Sequence, residues 1–449
     1  MNRALLLPVF LILTVAGLQG AEGDGLFVVK ASRVYVGDGT VIEEGGVVIK
    51  DGRIVMVAPL ADLPECDGYI TNPDGVITAG LIDASSTAGL INKSTWTEHS
   101  SEVVPRLAVI DMIDFRSRDF ERLARAGVTS VYVTPGSGSV VGSRGCVVKT
   151  AGPRSQRVLL AKSSVKATMG RDSYRRGASN RRPFGRQVTF MARRPTTRMG
   201  STQVFRESFY KAGLYRDGRA AGGDAMPAFD ADMDLLADVL EGKIPFRVQA
   251  RKDVDIWAAI RLCGEFGIDF VLEEAIEAHR CLPELKKLGA PVVYGPIFTY
   301  PRGWRAFTGE ANRPCLSTAA LLKKAGVPVA ITAGDQTGEG VLPRQAGHAV
   351  RAGLSFTDAL DCVTTTPARI LGVDDRVGIV KAGLDADLVL WNGNPFDVAA
   401  RPLAVIVSGQ TIHIEGLSAA ETKTINKLGA GDGTEEAFST SGYRAEGTK

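Results

Sequence analysis

The chain has 449 residues, 45% of them hydrophobic and 23% charged, which is enough apolar side chain to bury a sizeable core and too long for one small domain. A net charge of +3 and a sequence pI near 8.5 are too mild to make nucleic acid or an anionic membrane a partner, because such binding needs clustered Lys and Arg. One large domain with a satellite is the plan these numbers predict.

Taken in chain order, the first segment reads as an export signal. Met1-Asn2-Arg3 carries one positive charge, Ala4 to Leu18 is apolar except at Pro8 and Thr14, and the small pair Gly20-Ala21 follows. The apolar run is short of the about 20 residues that a membrane span needs, so residues 1–21 predict a periplasmic or extracellular protein without a transmembrane anchor. Residues 22–78 are β-rich: FVVKASRVYVGDG, GGVVIKDGRIVMVAP and GVITAGLID are β-branched runs broken by Gly and Asp-Gly, as in hairpins. Residues 79–370 alternate helix and strand. DFERLARA, Asp119 to Ala126, leads into VTSVYVTPG; DMDLLADVLEG leads into IPFRVQAR; DIWAAIRLCGEFG into DFVLEE; AHRCLPELKKLG into PVVYGPI; STAALLKKAG into PVAITAGD. Helices that end in Gly and feed apolar strands predict a parallel α/β sheet or barrel. Residues 371–416 return to the β texture in VGIVKAGLDADLVLWNGNP and PLAVIVSGQTIHIEG, and 417–449 lacks apolar periodicity, which predicts a disordered tail.

Other features carry less chemistry. Cys66, Cys146, Cys263, Cys281, Cys315 and Cys362 show neither CxxC pairing nor metal-ligand spacing, so buried thiols are expected, with one or two disulfides left open by the oxidising compartment. Arg171 to Arg198 is the densest basic stretch and reads as a solvated loop or, in the sharper reading, an anion or partner surface. VTPGSGSVVGSRGCVVKTAG, Val133 to Gly152, is rich in Gly and Ser but is no Walker motif, and no Gly-x-Ser-x-Gly elbow or base beside Cys146 supports a nucleophile.

Three stretches carry a family resemblance. VITAGLIDASS resembles the first barrel strand of the amidohydrolase superfamily, in its imidazolonepropionase-like branch; TTTPARILGVDDRVGIVKAG is similar to the helix that leaves the barrel; LDADLVLWNGNP is similar to the closing strand. The resemblance implies a (β/α)8 TIM-type barrel with its active site at the C-terminal strand ends, and a small β-sandwich built from both chain ends. It also implies hydrolysis of C–N bonds in cyclic amides or small peptides by a divalent metal. Such a metal, held by imidazoles and a carboxylate, brings the pKa of its bound water from about 15.7 towards 7.

The residues at the implied ligand positions depart from that pattern. The first-strand His-x-His falls on Ser85-Ser86-Thr87, a later histidine on Gln249 in PFRVQARKDVDI, another on Glu274 at the end of FVLEE, and only the last-strand aspartate is kept, as Asp335 in ITAGDQTG. The four histidines, His99, His279, His348 and His413, fall elsewhere: His279 within a helix over EAHRCLPELKKLG, His348 within a helix starting near Pro343, His413 on a sandwich strand and His99 in a loop that could overhang the pocket. Hydroxyls and amides are poor zinc ligands, and Asp335 with Glu274 could hold a hard cation only weakly. The expectation is therefore a metal-free, catalytically degraded relative without cofactor, acting as a small-molecule binder or as an inactive subunit of a homo-oligomer or of a hetero-oligomer with an active paralogue. The alternative is an active exported hydrolase of non-peptide C–N bonds that uses Asp335 with an atypical, weakly bound divalent cation.

Overall fold

The computed structural model describes residues 25–90, 96–98, 100–174, 194–224, 226–297, 315–334 and 341–423. The expected signal, His99, Asp335, most of the basic stretch from Arg171 to Arg198 and most of the expected tail lie outside these residues.

Both chain ends build one eight-stranded sheet. Strands β1 (Phe27–Tyr35), β2 (Val41–Lys50) and β3 (Arg53–Pro59) run antiparallel in succession, and β4 (Gly68–Ala79) returns parallel to β1. The hairpin texture read in GVITAGLID is thus a crossover: β4 pairs with β1 and, on its other edge, with a strand from the far end of the chain. Alternating apolar residues of these strands, among them Val29, Ile49, Ile77, Leu388 and Ile406, share a core.

The middle of the chain supplies parallel strands. β5 (Leu81–Ser86) pairs with β6 (Val128–Val133), and the short antiparallel strands β7 (Val141–Arg144), β8 (Cys146–Lys149) and β9 (Val158–Leu160) intervene before β10 (Val165–Thr168). From β10 the sheet runs parallel through β11 (Phe246–Ala250), β12 (Phe270–Glu274), β13 (Val292–Tyr294) and β14 (Val329–Ile331). The residues just past β14 reach β5 of the other sheet: Ser86 and Gly334 form an isolated parallel bridge, and Thr332 Oγ1 hydrogen-bonds with Asp83 Oδ1 at 2.5 Å and with the Ser85 carbonyl at 2.7 Å. Helices Asp253–Phe266, Leu282–Leu288 and Thr318–Ala325 each end on a glycine in the left-handed region (Gly267, Gly289, Gly326), where a side chain would be strained.

The sheet of the chain ends is completed by β15 (Leu388–Trp391), β16 (Pro402–Val407), β17 (Gln410–Ile414) and β18 (Thr422–Lys423), in the order β17-β16-β15-β4-β1-β2-β3 with β18 on β4. Within the segment expected to be a tail, Thr422–Lys423 pair with β4, Leu417 packs on the core of the sheet and Thr71 N donates to the Glu421 carbonyl at 2.9 Å. The sheet meets the parallel strands at Gly80, where an added Cβ would lie 2.1 Å from Thr129 Oγ1, and at a buried ion cluster: Lys149 Nζ donates to Asp385 and Asp387 carboxylates at 2.8 Å each.

The 24-residue helix Arg198–Ala221 is the longest helix among the described residues. Its Phe205 and Phe209 pack on Phe246 and Phe266. His279 lies in a 3-10 turn, Ala278–Arg280, ahead of a helix that starts only at Leu282, because Pro283 fits the first turn of a helix and not its interior. All six cysteines are unpaired, and four of them (Cys146, Cys263, Cys281, Cys362) are buried.

Candidate functional site

The C-terminal ends of β5, β10, β11 and β12 converge on a set of polar and charged side chains in an otherwise apolar interior. Strand pairing places them: in the parallel register Lys166 lies opposite Arg247, Thr168 opposite Gln249, and Gln249 opposite Glu273. Side chains two apart on a strand point to one face, so Arg247 and Gln249 share the face that Lys166 and Thr168 occupy next door.

The deeper group is a triad of fully buried charges. Arg247 Nε donates to Glu273 Oε1, Lys166 Nζ lies 3.3 Å from Glu273 Oε2, and Arg247 Nη2 donates to the Ala84 carbonyl at 2.7 Å. The Arg247 guanidinium also stacks 4.1 Å from the centre of the Tyr132 ring. Lys166 Nζ donates further to Thr134 Oγ1 at 2.8 Å and to the Pro135 carbonyl at 3.1 Å. Burial pushes the Glu273 carboxyl up, yet Arg247 and Lys166 together hold it below its ordinary value; burial pulls Lys166 down.

The outer group contains the ligand positions named above. Gln249 Oε1 accepts from Ser137 Oγ, and Gln249 Nε2 donates to Asp172 Oδ2 at 3.3 Å. The same Asp172 oxygen accepts from Arg251 Nη1 at 2.6 Å, and Arg251 Nε donates to Glu274 Oε2. Burial lowers the Arg251 pKa, and the carboxylates of Glu274 and Asp172 more than offset this, leaving it above its usual value. Glu274 and Ala275 have φ of 62° and 28°, a backbone that L-residues adopt at a cost of about 1–3 kcal/mol each. It is held by Glu277 N donating to the Arg251 carbonyl at 2.9 Å and Gly295 N donating to the Glu274 carbonyl at 3.3 Å.

At the β5 tip, Ser85, Ser86 and Thr87 are all buried. The tip folds onto Asp83, whose carboxyl group accepts from Ser85 N at 3.1 Å and Ala333 N at 3.2 Å and hydrogen-bonds with Thr332 Oγ1 at 2.5 Å. Full burial outweighs these bonds and pushes the Asp83 carboxyl up to about 7.

These residues do not fit a catalytic zinc ion. The donors at the implied positions are hydroxyls, an amide whose oxygen and nitrogen are both hydrogen-bonded, and a carboxylate already neutralised by a guanidinium. Among the described residues, Lys166 and Arg247 pair with Glu273, and Arg251 pairs with Glu274 and Asp172. No group of three or more His, Cys, Asp or Glu side chains able to hold a metal occurs among the described residues. The described histidines sit apart: His279 Nδ1 is 3.2 Å from Thr318 Oγ1, His348 Nδ1 3.0 Å from Arg351, and His413 3.4 Å from Glu415. Sequence reading singled out Ser85, Thr87, Gln249 and Glu274 and missed Lys166, Asp172, Arg247, Arg251 and Glu273. The signal was present in charged residues alternating with apolar ones in strands that read as buried.

Comparison with known proteins places the chain. The model of the amidohydrolase family matches residues 305–412. The chain is 28% identical over 397 residues to the amidohydrolase tasK of Hapsidospora irregularis, covering 81% of this chain and 39% of that protein. It is 24% identical over 386 residues to the imidazolonepropionase of Rhizorhabdus wittichii, covering 78% and 89% of the two chains. The crystal structure of an amidohydrolase from Thermotoga maritima superposes with a TM-score of 0.75 at 27% identity, covering 87% of this chain and 100% of that one. The chain thus spans well under half the length of the tasK relative. The fold is TIM-barrel-like α/β with a β-sandwich domain, and the chain belongs to the amidohydrolase superfamily, related to hydrolases of C–N bonds.

Proposed function

We propose that this protein is a metal-free, catalytically degraded amidohydrolase that binds a small molecule or serves as an inactive subunit. One observation carries the reading: Gln249 and Glu274, which stand at implied imidazole positions, are held by Ser137, Asp172 and Arg251. The strand ends then offer hydrogen bonds and fixed charges without a metal to activate water. The parallel strands are read as a closed (β/α)8 barrel, with β5 and β14 meeting at the Ser86–Gly334 bridge. Export through residues 1–21 belongs to the same proposal, as do the domain limits 22–78, 79–370 and 371–416.

Elemental analysis of protein purified without chelator tests it. The expected result is metal near background, both as purified and after soaking with zinc, manganese or iron. Near-stoichiometric metal overturns the reading and returns Asp335 to the role of catalytic carboxylate in a C–N hydrolase.

A further inference from the structure

Strands β5 and β14 belong to different sheets and come together at their C-terminal ends. Deeper along the strands, Ile82 N and Ile331 N donate to the Val363 and Cys362 carbonyls at 2.7 and 2.9 Å, so a third segment stands between them there. At the tips the Thr332 side chain fills the seam. Its Oγ1 accepts from Gly334 N at 2.9 Å, lies 2.5 Å from Asp83 Oδ1 and lies 2.7 Å from the Ser85 carbonyl oxygen.

A threonine hydroxyl has one proton to give and two lone pairs that accept, and a carbonyl oxygen has no proton. With Asp83 ionised, the single Thr332 proton would serve one of its two oxygen neighbours. The other would stand with no hydrogen between the atoms, at a separation within the about 2.5–3.0 Å of a true O–H···O bond. A protonated Asp83 closes the count. Its O–H donates to Thr332 Oγ1, Gly334 N–H takes the second lone pair, and the Thr332 proton goes to the Ser85 carbonyl. The lone pairs left on Asp83 accept from Ser85 N and Ala333 N. Among the described residues no cationic side chain bonds this carboxyl: the arginine that reaches β5, Arg247 at the Ala84 carbonyl, is paired with Glu273. Burial without a counter-charge favours the neutral acid in the same direction.

We propose that Asp83 is a neutral carboxylic acid whose proton latches the two sheets together at the strand ends: Asp83 O–H donates to Thr332, and Thr332 O–H donates to the backbone of Ser85. Asp83 is a positioning residue in this arrangement, because the carbonyl it fixes through Thr332 precedes Ser86, which bridges to Gly334. Without the proton, the Thr332 hydroxyl turns to the carboxylate, the Ser85 carbonyl faces a lone pair, and the β5 tip is released. The count uses contacts within the chain alone and does not rest on the metal-free reading.

Infrared spectroscopy of the full-length chain at about pH 6 tests the proton, and hydrogen exchange under the same conditions tests the latch. The wild-type spectrum minus that of D83N is expected to show the carbonyl stretch of a protonated carboxyl, above the amide I band and shifted down in D2O. A carboxylate band in its place, or no band, overturns the proposal. T332V keeps the side-chain shape and removes the hydroxyl, so the acid loses its acceptor and its band is expected to move to higher frequency. Peptides spanning Ser85 to Leu90 are expected to exchange about tenfold faster in T332V, while those from β16 keep the wild-type rate. An unmoved band, or wild-type exchange at the β5 tip of T332V, overturns the latch. If D83N does not accumulate as folded protein, wild type against T332V carries the test, since a displaced band gives paired positive and negative features in that difference.

Discussion

Asp83→Asn removes a fully buried acid that ties β5 to β14, and its effect depends on pH in an unusual direction. The carboxyl titrates near 3.8 in the unfolded chain and near 7 in the folded one. Between those values the native state holds a proton that the unfolded state has lost, so stability falls as pH rises through this window and is level above it. Paired surface carboxylates behave the opposite way. About three pKa units at about 1.4 kcal/mol each give a loss of about 4 kcal/mol between pH 4 and pH 7. Asparagine is neutral throughout and keeps one oxygen for Thr332 Oγ1 and Ser85 N, but it turns an amide N–H2 towards Ala333 N and gives up that bond. The lost bond costs about 1–2 kcal/mol. At about pH 4 and below the variant is therefore expected to be less stable than wild type by about 1–2 kcal/mol, the two are expected to be equal near pH 5, and above about pH 8 the variant is expected to be more stable by about 2–3 kcal/mol. Urea unfolding followed by circular dichroism at both pH values measures the difference. A difference that keeps its sign and size across the range would refute the argument that Asp83 is buried at the expense of its charge.

Two further outcomes follow from the interior. Glu273→Gln leaves Lys166 and Arg247 buried without their carboxylate and is expected to destabilise the chain by about 3–5 kcal/mol in chemical denaturation; a loss under about 1 kcal/mol would mean that the triad is not electrostatically coupled. Among the cysteines, Ser317 hydrogen bonds lower the Cys315 pKa and leave its thiol partly exposed, whereas burial pushes Cys146 up to about 12 and Cys281 to about 11. Peptide mapping after native-state alkylation is expected to find Cys315 modified first and Cys146, Cys263, Cys281 and Cys362 only on unfolding. Early labelling of a buried cysteine, or a disulfide between any two, would contradict the arrangement.

The alternation of helices and strands was legible because several helices close on a glycine and lead into a short apolar run, as in Cys263-Gly264-Glu265-Phe266-Gly267 leading to Phe270–Glu274. The longest described helix was not. Arg198–Ala221 contains Gly200, Gly213 and Gly218 and follows a basic stretch, so local propensity argued against a helix that is held by Phe205 and Phe209 in the core. At the site, the resemblance located Ser85, Gln249 and Glu274 one by one, because motif alignment works along the chain. It could not show that Arg251, just past the end of β11, reaches Glu274 at the end of the neighbouring strand, since that contact is set by strand register. Asp172 was hidden for the same reason: it read as part of a solvated arginine-rich loop, and the fold brings it under Arg251.

The contacts that shape the strand ends explain how the side chains at the ligand positions can change while the frame stays. Thr332 Oγ1 bonds the Ser85 carbonyl, Glu277 N bonds the Arg251 carbonyl and Gly295 N bonds the Glu274 carbonyl, and each of these uses backbone at a ligand-position residue or its neighbour rather than its side chain. Backbone partners are indifferent to whether residue 249 or 274 carries an imidazole. The side chains, by contrast, must satisfy one another once they are buried, and an acid at 274 is tolerable only with a cation beside it. Arginine at 251 meets that requirement from within the chain. The strand-end geometry is therefore carried by backbone hydrogen bonds, and the chemistry of the pocket by a charge network that has to balance as a unit, so a histidine restored at 249 or 274 alone is expected to bind no metal while Arg251 stays in place.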